Sequence, residues 1–435
     1  GGMAQFSLID QRVLNGDEGC YLLPLADHVP AAIAALIEPW TCVIASYMID
    51  HRKTPVSGGR MLVAMDAGHE DVYRLDDDSG AVPEIVDTHN LNAETLANLQ
   101  AAMPSATFNH LQAEPQEAHY DDIVLCGMQD ADTADRLAKL GAKNALISFV
   151  GTYPDTYWSF DVGRIHYRGW FYQGTPENNI AAAYGRNVRS TLKKGGACWL
   201  VGGAGAMGQM HTQLAVDNPD GPDRILVTDL DHERIQKMET LLCDRIRERG
   251  ISFESLNPGD FESQDAFMAA VHDFAPDGFD DIVMLVPVPD IVTSAVPAMG
   301  RDCVMNIFAG IPAGKEASLN VRAIAENGAR FIGSSGSRTH HLKHTLELVE
   351  KGMLNPAPAL AAIGGMYALW EGVEGVANAR FPGKTVVFPH CPALPLTAVE
   401  DLDKTVPGVE KSYTDDGFYS TKTEKMIMDT FCDRE

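Results

Sequence analysis

The chain has 435 residues, of which 45% are hydrophobic and 22% are charged, values typical of a soluble globular protein with two or three domains. Its formal net charge of −26 argues against binding to nucleic acids or anionic membranes, because their phosphates would be repelled. No apolar run is long enough to span a membrane, and the first ten residues lack the pattern of a signal peptide. The eight cysteines are scattered without a CxxC pair, which predicts reduced thiols and a cytoplasmic protein.

The first predicted buried strand, residues 60–65, ends in an acidic turn. This turn, residues 66–70 (Asp-Ala-Gly-His-Glu), has one glycine and two carboxylates. Carboxylates at a phosphate site would repel a pyrophosphate, so we expect no dinucleotide here. Gly68, His69 and Glu70 could also form a metal-ligand tripeptide, but a strand end without cysteine partners favours a solvated turn.

A glycine fingerprint follows a second apolar run, residues 197–202. The six residues from 203 to 208 form a complete GxGxxG: Gly203, Ala204, Gly205, Ala206, Met207 and Gly208. In a strand–turn–helix unit, the first glycine permits the tight turn, the second admits a pyrophosphate, and the third lets helix and strand approach closely. The N-terminus of the helix then offers free N–H groups to the phosphates. The alternative is a Rossmann-like fold with an unused glycine turn.

The next predicted strand, residues 224–229, ends in an acidic residue, Asp229. It lies about twenty residues past the fingerprint, where a carboxylate accepts hydrogen bonds from the ribose and repels the 2′-phosphate of NADP. The sequence therefore predicts NAD as cofactor. Three more strands end near residues 287, 310 and 334, so we expect the nicotinamide half to contact Val286, Val288, Ala309, Gly310 and Ser334.

The chain also contains an internal repeat. Residues 120–124 match residues 279–283, and the same offset of 159 residues (280 − 121) pairs Gly141 with Gly300, Gly151 with Gly310, and Gly174 with Gly333. A register held over some fifty residues indicates a duplication. The predicted class is therefore α/β, with two tandem Rossmann-like doubly wound parallel sheets.

Five stretches of the chain carry a family resemblance. They are residues 1–6 (Gly-Gly-Met-Ala-Gln-Phe), residues 21–24 (Tyr-Leu-Leu-Pro), residues 37–42 (Ile-Glu-Pro-Trp-Thr-Cys), the glycine fingerprint, and residues 383–401. Together they resemble the medium-chain dehydrogenase/reductase superfamily, and within it the zinc-dependent polyol dehydrogenases and sorbose-1-phosphate reductases. The resemblance covers most of residues 1–60 and 178–402, and it implies a partial β-barrel-like catalytic subdomain with a strand at residues 21–24.

The resemblance also bears on zinc. The family's zinc-binding cysteine and His-Glu pair lie in a part of the barrel that precedes the first residue here, so we expect a fragment or a processed chain. Glu38 matches the carboxylate that completes the zinc site, but a catalytic zinc takes about three protein ligands, so zinc would require the missing part. Alternatively, Glu38 is a carboxylate in the first turn of a helix beside Pro39, which needs no metal.

We predict four parts: residues 1–30 with 353–402 as the partial catalytic subdomain, 31–177 as a degenerate Rossmann-like domain, 178–352 as the NAD-binding domain, and 403–435 as a tail. The resemblance implies hydride transfer between NAD and a secondary alcohol or ketone of a polyol, sugar or sugar phosphate. The catalytic residues stay unassigned. Alternatives are a non-catalytic NAD-binding or assembly protein, a fragment of a larger zinc enzyme, and a zinc-free reductase.

Two further expectations concern the ends of the repeats. Family members dimerise by pairing their last Rossmann strands, so the last strands of the two copies, residues 165–172 and 329–333, are predicted to pair within one chain about an approximate two-fold axis. Contact through helices is the alternative, and a homo-oligomer stays open. A basic cluster follows, with Arg338, His340, His341, Lys343 and His344. It could neutralise a phosphate, but a solvated first turn of a helix is preferred.

Overall fold

The computed structural model describes residues 4–117, 119–186 and 188–432. In the first half, the strands are β1 (Arg60–Met65), β2 (Ile85–His89), β3 (Thr107–Leu111), β4 (Tyr120–Cys126), β5 (Gly141–Val150), β6 (Tyr157–Asp161) and β7 (Phe171–Thr175). The helices up to that point are α1 (Gln11–Leu14), α2 (Ala31–Ala34), α3 (Ile37–Ser46), α4 (Ala93–Ala102), α5 (Ala131–Ala138), α6 (Gly163–Arg168) and α7 (Ala181–Gly185).

The second half repeats this succession. Its strands are β8 (Ala197–Val201), β9 (Arg224–Thr228), β10 (Ser252–Leu256), β11 (Phe279–Met284), β12 (Met299–Ile307), β13 (Glu316–Asn320) and β14 (Arg330–Ile332). Its helices are α8 (Gly208–Asp217), α9 (His232–Arg249), α10 (Gln264–Phe274), α11 (Pro289–Ala295), α12 (Val321–Ala325) and α13 (Thr339–Glu350). The C-terminal part adds β15 (Leu360–Gly365), α14 (Leu369–Ala377), β16 (Lys384–Phe388), β17 (Thr397–Ala398), α15 (Leu402–Thr405) and α16 (Thr421–Phe431).

One 12-stranded sheet runs through both halves in the order β10-β9-β8-β11-β12-β14-β7-β5-β4-β1-β2-β3. Neighbouring strands within each half are parallel, and the two halves meet where β14 pairs antiparallel with β7. The mostly parallel sheet confirms the predicted α/β class. No helix within the described ranges is long and apolar enough to cross a membrane.

Residue pairs at the junction reveal an approximate two-fold axis. Phe331 of β14 lies opposite Tyr172 of β7, and Ser318 of β13 lies opposite Ser159 of β6 in a separate two-stranded antiparallel sheet. Each pair joins residues related by the same repeat offset, as expected only at a symmetry axis. The predicted pairing of the two copies within one chain is therefore confirmed.

The strand predicted over residues 165–172 is wrong in its bounds. Its first part is helix α6, which ends at Gly169 with a left-handed φ of 63°, and β7 begins only at Phe171. Such a φ is the common end of a helix, and glycine adopts it without strain. The second predicted strand, residues 329–333, corresponds to β14.

A buried arginine–aspartate pair recurs in both halves. Arg52 donates to Asp122 and to the backbone carbonyl of a threonine two residues on, and Arg189 makes the same two contacts with Asp281 and its own threonine. Burial raises the pKa of Asp122 and of Asp281, and each arginine opposes that shift. Arg52 and Arg189 precede the matching residues that the sequence revealed in the two halves. The structure therefore extends the duplication toward the N-terminus of each half.

The N-terminal stretch differs from the expected barrel strands. Residues 1–3 of the first resembling element lie outside the described residues, and residues 4–30 contain no strand where described. The strand expected at residues 21–24 is therefore absent. Phe6 and Leu8 of this stretch are 81% and 96% exposed. Within residues 353–402 the structure forms a three-stranded sheet in the order β16-β15-β17, and the partial barrel stays a prediction.

The C-terminal tail is packed into the molecule rather than separate from it. The buried carboxylate of Glu424 in α16 accepts the backbone amides of Ala31 and Ala32 at 2.7 and 2.9 Å, which satisfies the N-terminus of α2. A disulfide joins Cys391 to Cys432, so the expectation of reduced thiols is wrong for this pair. The two cysteines meet because the tail folds back onto the molecule, and no local sequence pattern predicts this contact.

Helices α2 and α3 belong by packing to the second half. Ile33, Trp40 and Val43 are buried in one hydrophobic cluster with Leu200 and Val227 of the second half's sheet. The predicted domain boundaries near residues 30, 177 and 352 remain a prediction. The boundary near residue 30 would separate two chain segments whose side chains share one hydrophobic core.

Candidate dinucleotide-binding site

The glycine fingerprint forms the turn between strand β8 and helix α8. A Cβ added at Gly208 would lie 2.2 Å from the carbonyl oxygen of Gly202, and one at Gly203 would lie 2.8 Å from Val227 Cγ1. These two glycines therefore allow the helix to pack closely on the sheet. A Cβ at Gly205 would meet nothing nearer than 3.4 Å, an ordinary contact distance, so no steric demand of the fold requires glycine at this position. The close packing at Gly203 and Gly208 agrees with the steric part of the fingerprint, and the role of Gly205 stays a prediction.

A cavity of about 510 Å³ opens beside this turn, at the carboxyl ends of β8, β9 and β11. Three predicted residues line it: Gly205, Asp229 and Val286. The carboxylate of Asp229 lies 4.0 Å from the position that a Cβ of Gly205 would occupy. Glycine turn and acidic residue thus face one space, where nucleotides bind in doubly wound sheets.

Hydrogen-bond donors surround the same turn. The amides of Ala206 and Met207 have no backbone acceptor among the residues that the structure describes, and they precede the first turn of α8. The N-terminus of a helix carries partial positive charge, so an anion placed here would be stabilised. The predicted contact of Ala206 and Met207 with a pyrophosphate is therefore compatible with their free amides, and it stays a prediction.

The residues predicted to face the nicotinamide follow the strands further along the sheet. Val288 is partly exposed at the start of α11, Ala309 is buried and Gly310 is exposed after β12, and none of these three lines the 510 Å³ cavity. The hydroxyl oxygen of Ser334, after β14, is buried without a hydrogen-bond partner among the described residues. An orphaned buried hydroxyl at the carboxyl end of a strand fits a polar ligand, as the cavity lined by Gly205 fits a phosphate.

The corresponding cleft of the first half is filled by its own chain. No helix forms within residues 66–84, where the second half has α8, and the carboxylate of Asp66 accepts the amide of Gln129 at 2.5 Å. The buried hydroxyl of Tyr73 lies 2.5 Å from the Cβ position of Gly127 and 2.6 Å from that of Gly151. This half therefore offers neither the helix N-terminus nor the open space that a dinucleotide needs.

Glu38 does not lie in a metal site within the described residues. It is exposed in the first turn of α3, where its carboxylate accepts the Cys42 thiol at 3.4 Å. Burial, with the charge of Glu38, raises the pKa of Cys42 to about 11. No group of three or more His, Cys, Asp or Glu side chains suited to a metal occurs in the described ranges. The described residues around Glu38 therefore do not fit a zinc ion.

The basic cluster at 338–344 forms the start of a helix, as preferred from the sequence. Helix α13 begins at Thr339, whose amide donates to the Glu18 carboxylate at 2.8 Å. Arg338, His340, Lys343 and His344 are exposed there. The cluster is a solvated first turn.

Several residues that line the cavity were missed in the sequence. Trp199 lies on the β8 face that also presents Val201, and its indole N–H donates to the Thr228 hydroxyl at 3.0 Å. Strand alternation could have identified it, since residues two apart share a face. Arg234 lines the cavity from the first turn of α9, near Asp231 at 3.4 Å. The sequence did not identify Arg234, because its place at the cavity depends on the residue at which α9 begins.

The mostly parallel sheet and the glycine turn define a Rossmann-like α/β protein. Mannitol-1-phosphate 5-dehydrogenase of Aliivibrio fischeri is 29% identical over 214 residues, which are 48% of this chain and 49% of that protein. L-Sorbose 1-phosphate reductase of Klebsiella pneumoniae is 24% identical over 213 residues, 48% of this chain and 50% of that protein. The chain thus spans about half the length of the curated relatives that it matches.

Among solved structures, the 2R,3R-butanediol dehydrogenase of Bacillus subtilis is similar at a TM-score of 0.37 and 19% identity, over 47% of this chain and 54% of that chain. No protein-family model matches the sequence. The predicted resemblance to polyol dehydrogenases and sugar phosphate reductases is confirmed at the level of these relatives, which are named as a polyol phosphate dehydrogenase and a sugar phosphate reductase.

Proposed function

We propose that the second half binds NAD and that the chain takes part in hydride transfer to or from a secondary alcohol of a polyol, sugar or sugar phosphate. The observation that carries the proposal is the open cavity in which Gly205 and Asp229 face each other beside the N-terminus of α8. Nicotinamide would supply the hydride chemistry when bound. Phosphorylated sugar alcohols are the favoured substrate class, because the homologues are named for mannitol 1-phosphate and L-sorbose 1-phosphate.

The protein's own contribution follows from the site. Gly205 would let the backbone approach the pyrophosphate, and the amides of Ala206 and Met207 would donate to it. Asp229 would accept hydrogen bonds from the adenosine ribose, while Val286 would contact the cofactor where it crosses the end of β11. Gly203 and Gly208 would shape the turn, and Val288, Ala309, Gly310 and Ser334 would border the nicotinamide half.

Calorimetry with NAD and NADP tests the binding part of this proposal. The expected result is one site per chain with preference for NAD. A dehydrogenase assay with mannitol 1-phosphate and sorbitol 6-phosphate, monitored by NADH absorbance with and without added zinc, then tests catalysis. Absence of binding to either nucleotide would refute the proposal.

A second candidate is an NAD-binding protein that catalyses nothing by itself. It is favoured by Glu38, which contacts Cys42 but belongs to no metal-ligand group in the part of the chain that the structure describes. Stoichiometric NAD binding without turnover in any of these assays would support it. A zinc-free reductase would instead keep its activity in a chelator.

A further inference from the structure

Helix α6 of the first half packs against the second half beyond the carboxyl ends of β12 and β14. The backbone carbonyl of Pro312 lies 2.2 Å from the Cβ position of Gly163, at the start of α6, and the amide of Val162 donates to the carbonyl of Lys315 at 3.1 Å. A Cβ on Gly333 would lie 3.0 Å from the carbonyl oxygen of Ile165. Helix α6 therefore packs against the segments that follow β12 and β14, where the nicotinamide half is predicted to lie.

One side chain of α6 extends to the carboxyl end of β12. Tyr167 is 51% exposed, and its hydroxyl lies 2.8 Å from the position that a Cβ of Gly310 would occupy. The neighbouring His166 accounts for its placement, because its ring packs edge-on against Tyr167 at 4.7 Å and its Nδ1 lies 3.3 Å from the carbonyl oxygen of Ile307. Since carbonyls only accept, this nitrogen is the donor, which fixes the ring.

The symmetric position in the first half shows what is particular to Tyr167. Gly151 is the counterpart of Gly310, and the buried hydroxyl of Tyr73, from the segment that fills the first cleft, lies beside it. The counterpart of Tyr167 is Glu326, whose carboxylate is paired with Arg322 at 2.9 Å. An accessible phenol therefore lies at the carboxyl end of β12 in the second half, whereas its counterpart in the repeat is an ion-paired carboxylate.

We propose that Tyr167, supplied by the first half, completes the dinucleotide site of the second half by donating a hydrogen bond from its hydroxyl to the nicotinamide half of the cofactor. This inference rests on the proposed function, because it assumes a dinucleotide in that cleft. The nicotinamide carboxamide offers the acceptor that a phenol requires. The first half thereby has a binding role although its own cleft is filled.

The test compares NADH with ADP-ribose, which contains the adenosine, pyrophosphate and second ribose but no nicotinamide. Binding of both to the full chain is measured by calorimetry for the wild type, for Tyr167→Phe and for a matched control, Tyr157→Phe. Tyr157 is also an exposed tyrosine of the first half, at 44%, but it lies in strand β6. Tyr167→Phe removes one partly exposed oxygen, so the fold should persist.

The expected result is that Tyr167→Phe weakens NADH binding by about threefold to tenfold, the usual effect of one hydrogen bond. Its affinity for ADP-ribose should stay at the wild-type value, and Tyr157→Phe should change neither. Equal effects of Tyr167→Phe on both ligands, or no effect on NADH, would overturn the inference and leave the proposed function standing. A wild type that binds neither ligand would overturn both.

Discussion

Replacement of Gly205 separates the binding role of the glycine turn from its structural role. A Cβ at this position meets nothing nearer than 3.4 Å, so Gly205→Ala should change the free energy of unfolding by no more than about 0.5 kcal/mol. The same methyl group would stand between the turn and a pyrophosphate. If it prevents two charge-assisted hydrogen bonds from backbone amides, each worth about 1.5 kcal/mol or more, NAD affinity should fall about a hundredfold or more.

Two matched glycines serve as controls. Gly68, at the corresponding turn of the first half, has a φ of +79° and open space around it, so Gly68→Ala should cost about 1 kcal/mol in backbone strain and leave NAD affinity unchanged. Gly208→Ala would instead place a methyl group 2.2 Å from a backbone oxygen and should destabilise the fold by about 1–3 kcal/mol. Calorimetry with NAD and chemical unfolding give both quantities. Wild-type NAD affinity in a folded Gly205→Ala protein would refute the assignment.

Three other predictions follow from single side chains. Asp229→Ser should raise the ratio of NADP to NAD affinity at least tenfold, about 1.4 kcal/mol, because it removes both the ribose acceptor and the repulsion of a 2′-phosphate; an unchanged ratio in calorimetry refutes this. Burial lowers the pKa of His211 from 6.5 to about 3, so its proton binds the unfolded chain first and stability falls as the pH drops from 6.5 towards 3. His211→Gln should therefore reduce the slope of unfolding free energy against pH by about 1.4 kcal/mol per pH unit, measured by urea unfolding, and equal slopes would contradict it. Glu424→Gln should cost about 1–2 kcal/mol of stability through its bonds to the amides of α2, whereas the exposed Glu410→Gln should cost less than about 0.5 kcal/mol; equal thermal midpoints would exclude that role.

The parts of the fold that could be predicted have local causes. The glycine fingerprint was recognisable because its spacing follows from local steric requirements. In the structure, a Cβ at Gly203 or at Gly208 would collide with backbone or core atoms. The pairing of β7 with β14 was predictable because an unpaired aromatic edge strand favours association. The first argument needs only neighbouring residues, whereas the second also used the repeat and the dimerisation mode that the family resemblance implies.

The errors arise where distant contacts decide the structure. Ile165 and Tyr167 are of residue types that favour strands, but contacts with the segments after β12 and β14 hold residues 163–168 as helix α6. The bond between Cys391 and Cys432 depends on how the tail folds back, which no spacing rule gives. Residues 21–24 were expected as a strand from resemblance alone, and their backbone has no strand partner within the described residues.

The two halves keep one scaffold and differ in what occupies its carboxyl edge. The arginine–aspartate pairs Arg52–Asp122 and Arg189–Asp281 anchor the same loops, so the difference does not come from the sheet. It comes from the segment after the first strand: residues 66–84 insert Tyr73 into one cleft, whereas α8 leaves the other open. The first half can lose its cleft and still stabilise the sheet. Its strand β7 pairs with the short strand β14, which would otherwise be an unpaired edge strand. The first half, whose own cleft is filled, can therefore be retained because β7 pairs with β14 and because α6 packs against the second half.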